Sequence, residues 1–269
     1  MKSKRLILPI NRIVRECRDV NTYFFSHQLE AKPGQFVMVT DYEGGEKPFS
    51  LADSTTAEFA ITVKRVGQFT SRLFQKKAGE YLALRGPYGS SFFICPHRVL
   101  LVGGGYGTPP LYFLTRKLLE AGSEVIVVNG ARSGDDLIFC EKFRALEVNY
   151  HNITQSGCLD RKGTAVDLAR ELMNTIKFDF IYAAGPEPML KALQEIVKDT
   201  EYQFLMERYM KCAIGICGSC TMDPLGIRLC VEGPVLSRLQ IEQLSEFGHY
   251  HRDATGARIY FNNGQGFHD

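Results

Sequence analysis

An excess of charge of either sign is the first thing this chain lacks: 32 Lys and Arg stand against 30 Asp and Glu, a formal net charge of +2 over 269 residues. So small an imbalance leaves no electrostatic footprint for nucleic acid or for an anionic membrane. No apolar run approaches the roughly 18 residues needed to cross a bilayer. The stretch Leu6 to Ile10, after Met1-Lys-Ser-Lys-Arg5, is broken by Pro9 and is too short for a signal-peptide core. Internal repeats and low-complexity tracts are absent too. These gaps predict a cytoplasmic chain with no nucleic-acid or membrane partner. In that reducing compartment the eight cysteines do not read as a disulfide framework.

Hydrophobic residues make up 45% of the chain, enough for sizeable cores, and the length suggests two domains at about 150 residues each. From Leu6 to Arg85, short β-branched and aromatic runs alternate with turn residues: Gln35 to Thr40, Phe49 to Ala52, Phe59 to Val66, Tyr81 to Arg85. This predicts a small antiparallel β-barrel, covered by a short helix around Ser71 to Lys77. After Pro96 the rhythm becomes strand, helix, strand: Val99 to Val102, Pro109 to Glu120, Glu124 to Asn129. A helix near Leu137 to Leu146, strands near Val148 to Thr154 and Asp179 to Ala183, and a helix from Glu187 to Lys198 follow. Such alternation argues for a parallel α/β sheet. From about Phe204 glycine and cysteine dominate and the segment is too poor in apolar residues to hold a core alone. The expected fold is therefore multi-domain, α+β and α/β, with parts at 1–95, 96–203 and 204–269.

In the last part Cys212, Cys217, Cys220 and Cys230 are spaced C-x4-C-x2-C-x9-C. Three thiolates within nine residues and a fourth after a short excursion form the plant-type ligand pattern of a 2Fe-2S cluster, which moves one electron at a time. Structural zinc is the alternative, but it commonly uses two C-x2-C knuckles, and one is present here. Small residues Ala213, Gly215, Gly218 and Ser219 let the backbone wrap the sulfurs closely. Cys17, Cys95, Cys140 and Cys158 have no ligand spacing and read as ordinary, buried thiols.

Upstream, Lys47-Pro48-Phe49-Ser50 opens a strand, with Ser50 placed to offer a hydroxyl to a flavin ring. Next, Lys64-Arg65-Val66-Gly67-Gln68-Phe69-Thr70-Ser71 leads a strand through glycine into a helix, an anion site suited to pyrophosphate. The bland alternative is a solvated basic turn capped by Thr70. Gly103-Gly104-Gly105-Tyr106-Gly107-Thr108-Pro109 then follows an apolar strand and precedes a helix, so its backbone can approach a phosphate. Thr108 stands where the third glycine of G-x-G-x-x-G would be, so this is not the ordinary dehydrogenase fingerprint. Gly185-Pro186-Glu187-Pro188-Met189 is a second strand-to-helix turn, read equally well as a proline-started helix with no ligand.

These pieces in this order resemble the ferredoxin reductase-like flavoprotein superfamily. Met206-Glu-Arg-Tyr-Met-Lys-Cys212 through Cys230-Val-Glu-Gly-Pro-Val235 is similar to the electron-transfer subunit family of NAD-dependent dihydroorotate dehydrogenase. The resemblance implies FAD on the barrel, with Lys47, Pro48, Phe49 and Ser50 beside the flavin and Lys64, Arg65, Val66, Gly67, Phe69 and Thr70 around the rest of it. It implies NAD, the electron acceptor, on the second part, shaped by Gly103, Gly104, Gly105, Gly107, Thr108, Gly185 and Pro186. A cluster on Cys212, Cys217, Cys220 and Cys230 would face an FMN-containing catalytic subunit in a heterotetramer of two plus two, serving pyrimidine biosynthesis. Lys47 replaces an arginine and Phe69 a glycine of that pattern, implying weaker or shifted FAD binding.

In that scheme electrons leave dihydroorotate at FMN, cross the cluster singly and reach NAD through FAD, so no acid-base residue is assigned. Arg132 and Ser133 suit a 2′-phosphate, and Asp135 and Asp136 oppose one; the residues leave NAD and NADP open, and the resemblance points to NAD. His249 and His251 read as contacts to the barrel or a partner rather than as metal ligands. Two other functions stay open: an NAD(P)H:acceptor reductase serving hydrogenase, sulfur or ferredoxin, and a zinc-stabilised non-redox binding module.

Overall fold

The computed structural model describes residues 5–41, 43, 45–95, 97–157 and 161–261. Cys158, and Pro96 at the expected boundary, lie outside the described residues. Strands β1 (Leu6–Pro9), β2 (Arg12–Cys17), β3 (Val20–Phe25), β4 (Phe36–Asp41), β5 (Gly45–Ser54), β6 (Phe59–Lys64) and β7 (Tyr81–Tyr88) form one antiparallel sheet. Their order is β1-β7-β4-β5-β6-β3-β2. Register shifts at Arg15/Cys17, Phe36/Met38 and Leu51/Asp53 insert bulges that bend the strands and curl the sheet. Among the described residues the end strands β1 and β2 do not pair, so the expected barrel is a half-barrel.

Helix α1 (Gln68–Gln75) closes its mouth and begins three residues before the expected Ser71. Thr70 is the reason: its Oγ1 accepts from the amides of Val66 at 2.9 Å and Gly67 at 3.0 Å, fixing the turn that starts the helix. Phe69 and Leu73 then pack on Tyr23, Phe25, Val37 and Phe59.

The second part is a sheet of β8 (Arg98–Gly104), β9 (Glu124–Ala131), β10 (Asn149–Thr154), β11 (Phe180–Ala184) and β12 (Glu201–Leu205), all parallel, in the order β10-β9-β8-β11-β12. Helices α2 (Thr108–Glu120), α3 (Cys140–Arg144), α4 (Ala165–Thr175) and α5 (Glu187–Ile196) accompany it. Both faces are covered, which is why β8 and β9 read as continuous apolar runs. The helix expected over Leu137 to Leu146 shrinks to α3, because Phe139 and Glu147 take left-handed backbone angles at φ 65° and 56°.

The cysteine-rich segment contributes β13 (Thr221–Met222), β14 (Ile227–Arg228), β15 (Val235–Ser237), α6 (Arg238–Glu242), β16 (Tyr250–Arg252) and β17 (Arg258–Tyr260). Strand β15 joins the second sheet, antiparallel to β12. Met206, Met210, Met222, Leu229 and Phe247 lie in one core with Leu100, Val102 and Ile181 of the second part and Phe36 and Met38 of the half-barrel. The segment, too poor in apolar residues to hold a core alone, thus shares one with the other two parts. Ser90 adds a polar tie, donating to the Val235 carbonyl at 2.9 Å and accepting from its amide at 3.1 Å.

Candidate functional site

A cavity of about 280 Å³ opens where the three parts meet. The half-barrel lines it with Phe36, Pro48, Phe49, Ser50, Lys64, Val66 and Thr70; the second part supplies Tyr106, Gly107 and Gly185; the third supplies Met206, Glu207, Arg208 and Met210. A second hollow of about 570 Å³ shares Pro48, Phe49, Val66 and Thr70 and extends to Lys47, Gly67, Phe69 and Arg72. Most residues expected around a flavin therefore line one continuous surface. The Lys47 ammonium lies 4.7 Å over the Tyr209 ring, and Lys64 lies 5.0 Å from the Tyr106 ring across the cavity. Phe69 stacks on Phe49 at 6.1 Å and is only 6% exposed, so its ring fills barrel core beneath the turn. Arg65 lines neither hollow: it donates to Asp19 at 2.6 Å and crosses the Phe74 ring.

With Val66 and Gly67 held by Thr70, the amides left for an anion are those of Gln68, Phe69 and Thr70, which α-helix geometry leaves unpaired. The glycine run divides by role. A Cβ on Gly107 would sit 2.5 Å from the Gly185 amide nitrogen, so the two strand-to-helix turns interlock through bare backbone. A Cβ on Gly104 would meet Met189 Sδ at 2.5 Å and Pro186 Cδ at 3.2 Å, and one on Gly103 would meet Thr108 Oγ1 at 2.7 Å. Thr108 is fully buried and donates to Asn129 Oδ1 at 3.0 Å. Gly103, Gly104, Thr108 and Pro186 are thus committed to internal packing, whereas Gly105, at φ +53°, faces open space.

Tyr106, Glu207 and Arg208 were not singled out as site residues, although two opposite charges inside Phe204-Leu-Met-Glu-Arg-Tyr-Met210 signal buried polar chemistry. Arg208 is buried and bidentate to Glu187, and its Nε donates to Glu246 at 3.0 Å. Burial pushes the Glu187 carboxyl up, against the pull of Arg208. Arg252 extends the chain of charges, donating to Glu246 at 2.8 Å and to Asp223 at 2.5 Å. Glu207 lines the cavity and is exposed there. Its carboxyl is raised to about 7, first by desolvation, then by the Glu187 charge, with Arg208 opposing. The Tyr106 phenol is raised by the charge of Glu207 and then by burial, with Arg132 opposing.

The four cysteines form two pairs. Cys217 donates its amide to Cys212 Sγ at 3.5 Å, and Cys230 donates its amide to Cys220 Sγ at 3.4 Å. Left-handed angles at Ala213 (59°), Gly215 (77°) and Gly218 (71°) wind the loop inward. Burial would raise the Cys212 thiol, but the amides of Cys217, Ile214 and Ile216 outweigh it and hold it at about 6. Cys230 is pushed up to about 12 by burial and by the neighbouring Cys220 sulfur. Crowded thiols of this kind ionise together only against a metal's positive charge. Two pairs suit a binuclear cluster, each iron taking two thiolates. Cys220 and Cys230 are buried and Cys217 is exposed. Arg85 anchors the loop to the half-barrel: it pairs with Glu46 and donates to the Cys212 carbonyl at 2.9 Å.

The histidine tail packs on this segment: β16 pairs with β17, His251 meets the Phe261 ring, and Arg252 reaches the Thr221 carbonyl. Of the scattered cysteines, Cys95 is buried, whereas Cys17 and Cys140 are half-buried. No helix of the described residues is long and apolar enough to cross a membrane.

Comparison with known proteins follows this geometry. Residues 207–242 match the iron-sulfur cluster binding domain of dihydroorotate dehydrogenase B, and residues 101–195 match an oxidoreductase NAD-binding domain. The probable dihydroorotate dehydrogenase B (NAD(+)) electron transfer subunit of Methanothermobacter thermautotrophicus is 40% identical, over 94% of this chain and 96% of its own. Its counterpart in Methanocaldococcus jannaschii is 35% identical, over 96% and 99%. Among solved structures, that of NADH-dependent reduced ferredoxin-NADP oxidoreductase superimposes with a TM-score of 0.81 at 30% identity, over 91% of each chain. A ferredoxin reductase of carbazole 1,9a-dioxygenase shares the fold at a TM-score of 0.65, 22% identity and coverage of 73% and 65%. Similarity over almost the whole length, in the same arrangement of parts, places this chain in the family of dihydroorotate dehydrogenase B (NAD+) electron transfer subunits.

Proposed function

We propose that this chain takes electrons from an FMN-containing dihydroorotate dehydrogenase catalytic subunit and delivers them to NAD+. Cys212, Cys217, Cys220 and Cys230 hold a 2Fe-2S cluster. Pro48, Phe49 and Ser50 flank the flavin of FAD, and Lys64, Val66, Gly67 and Thr70 follow the rest of it. Gly105, Gly107 and Gly185 shape the nicotinamide side. FAD, when bound, converts single electrons into a hydride for NAD+. The protein's own residues position these groups: Arg208 fixes the Gly185 turn through Glu187, and Arg85 fixes the cysteine loop.

One observation carries this reading. The cavity shared by all three parts is lined by Met206, Glu207, Arg208 and Met210, and the same stretch runs through Lys211 into Cys212. Flavin surface and cluster loop are thus consecutive in the chain. The parts 1–95, 96–203 and 204–269 then act as flavin, nicotinamide and cluster units of a cytoplasmic assembly of two plus two subunits.

The 30% identity to a ferredoxin-NADP oxidoreductase keeps a second reading, a reductase serving another iron-sulfur partner. Co-purification decides between them. A partner bearing FMN and forming orotate supports the first, and an iron-sulfur hydrogenase or ferredoxin supports the second. Iron, sulfide and zinc analysis of anaerobically purified protein tests the cluster: a colourless protein with stoichiometric zinc would sink the electron-transfer account.

A further inference from the structure

Reduction adds one negative charge to a cluster held by Cys212, Cys217, Cys220 and Cys230, and the charges fixed around the cluster decide how favourable that is. We propose that Arg85 of the half-barrel is a positioning residue whose cation favours the reduced cluster, and that Glu46, by pairing with it, limits the effect. This rests on the 2Fe-2S reading above. The part that would hold the flavin thereby sets how readily the cluster takes up an electron.

The geometry around the guanidinium carries the assignment. Arg85 Nε donates to Glu46 at 2.7 Å, and Nη2 reaches the same carboxylate. Its Nη1 donates to the Cys212 carbonyl at 2.9 Å and to the Tyr88 hydroxyl at 3.1 Å. The cation thus touches the backbone of a cysteine expected to bind the cluster, and strands hold it there: Arg85 lies on β7 and Glu46 on β5, with β4 between them. Residues three apart on a regular strand face opposite ways. The register shift at Phe36/Met38 falls between Arg85 and Tyr88 and brings the two side chains together. Only 15% of the Arg85 side chain is exposed, so solvent ions screen its charge little. Three other cations approach the loop and differ from it. Arg228 donates to the Gly215 carbonyl at 3.1 Å but is 43% exposed beside Glu232. Lys211 is exposed and turns to the Ala254 carbonyl at 3.1 Å. Arg252 meets the Thr221 carbonyl at 3.3 Å while held between Glu246 and Asp223, whose two charges exceed its own.

The test uses the full chain with FAD and cluster bound, as wild type, Arg85→Gln, Arg85→Lys and Glu46→Gln. Iron, sulfide and FAD contents are measured first. Wild type without iron and sulfide defeats the cluster reading and this proposal with it, whereas a wrong shift in loaded protein defeats the proposal alone. The midpoint potential of the cluster is then read by electron paramagnetic resonance at fixed ionic strength, and that of FAD from its visible spectrum. Arg85→Gln removes the cation and leaves Glu46 unpaired, so the cluster potential should fall by about 59 mV, a tenfold loss of reduced cluster for a one-electron couple. Glu46→Gln leaves the cation unopposed, so the potential should rise. Opposite signs mark an effect of charge, because a merely structural role would loosen the loop in both variants and move both the same way. Arg85→Lys keeps the charge without the fork and should lie between Arg85→Gln and wild type. Arg85 lines neither hollow, so the FAD potential should move less. If Arg85→Gln does not retain its cluster, the sign of the shift in Glu46→Gln decides. Shifts of one sign, no shift, an equal shift of FAD, Arg85→Lys as low as Arg85→Gln, or loss of the cluster from both charge-removing variants would overturn the assignment.

Discussion

Cys220 is buried against Cys230, whereas Cys217 reaches the surface, so the two cysteine pairs differ in what they offer. Replacing Cys220 by Ser should abolish the visible and electron-paramagnetic signals of the cluster and leave the FAD spectrum intact, because Cys220 lines neither hollow. Loss of FAD as well would mean that the cysteine loop also supports the half-barrel. Glu46 governs that support. Burial raises its carboxyl, but hydrogen bonds from Arg85 and Thr40 outweigh burial and hold it below its ordinary value of 4.5. A lowered folded-state value stabilises the fold in full above about pH 4.5, and that stability is lost as pH falls through the lower value. Glu46→Gln should therefore melt below wild type at neutral pH, with the gap closing in acid; a gap constant with pH would contradict the sign. The motifs around these residues were legible because their spacing is local: C-x4-C-x2-C and Lys47-Pro-Phe-Ser50 each fall within a few turns of chain. The pairing of Arg65 was not legible for the converse reason, since its partner Asp19 lies 46 residues away.

Elements were legible in proportion to how strongly their own sequence fixes them. The apolar runs of β8 and β9 announced a covered parallel sheet. Helix α4 was missed although it carries a capping box: Thr164 Oγ1 accepts from the Asp167 amide at 3.2 Å, and Asp167 accepts from the Thr164 amide at 2.9 Å. Strand β15 had no local signal, because three residues become a strand only where β12 offers an edge. The turns before α2 and α5 meet backbone to backbone at Gly107 and Gly185. Gly107→Ala should force a backbone shift there, costing about 1–3 kcal/mol and lowering the melting temperature by several degrees. An unchanged melting curve would show that the turns can separate freely. The ion network linking α5 to the cysteine-rich segment is more demanding. Arg208→Met would leave Glu187 and Glu246 buried without their shared cation, a loss of about 3–5 kcal/mol when one partner of a buried pair is removed. Chemical denaturation of the variant checks this, and a loss under about 1 kcal/mol would show that the carboxylates simply take up protons.

At the scale of the whole molecule, half-barrel, α/β sheet and cysteine segment share a continuous core and a single cavity. Sequence reading gave each part its cofactor separately, but the meeting of Glu207, Tyr106 and Lys64 depends on how the parts dock, which no spacing records. The same docking makes the cysteine loop a continuation of the cavity wall and leaves Ile214 and Ile216 exposed beside Cys217, on the side where a donor subunit would approach. The central claim is a route from that donor to NAD+ through this chain. Its most direct test is anaerobic NAD+ reduction by dihydroorotate with the FMN-containing catalytic subunit, comparing wild type with Cys220→Ser. The account predicts NADH formation that requires both proteins and is lost in the variant while FAD remains bound. NADH formed at the wild-type rate with Cys220→Ser, or by the catalytic subunit alone, would contradict it.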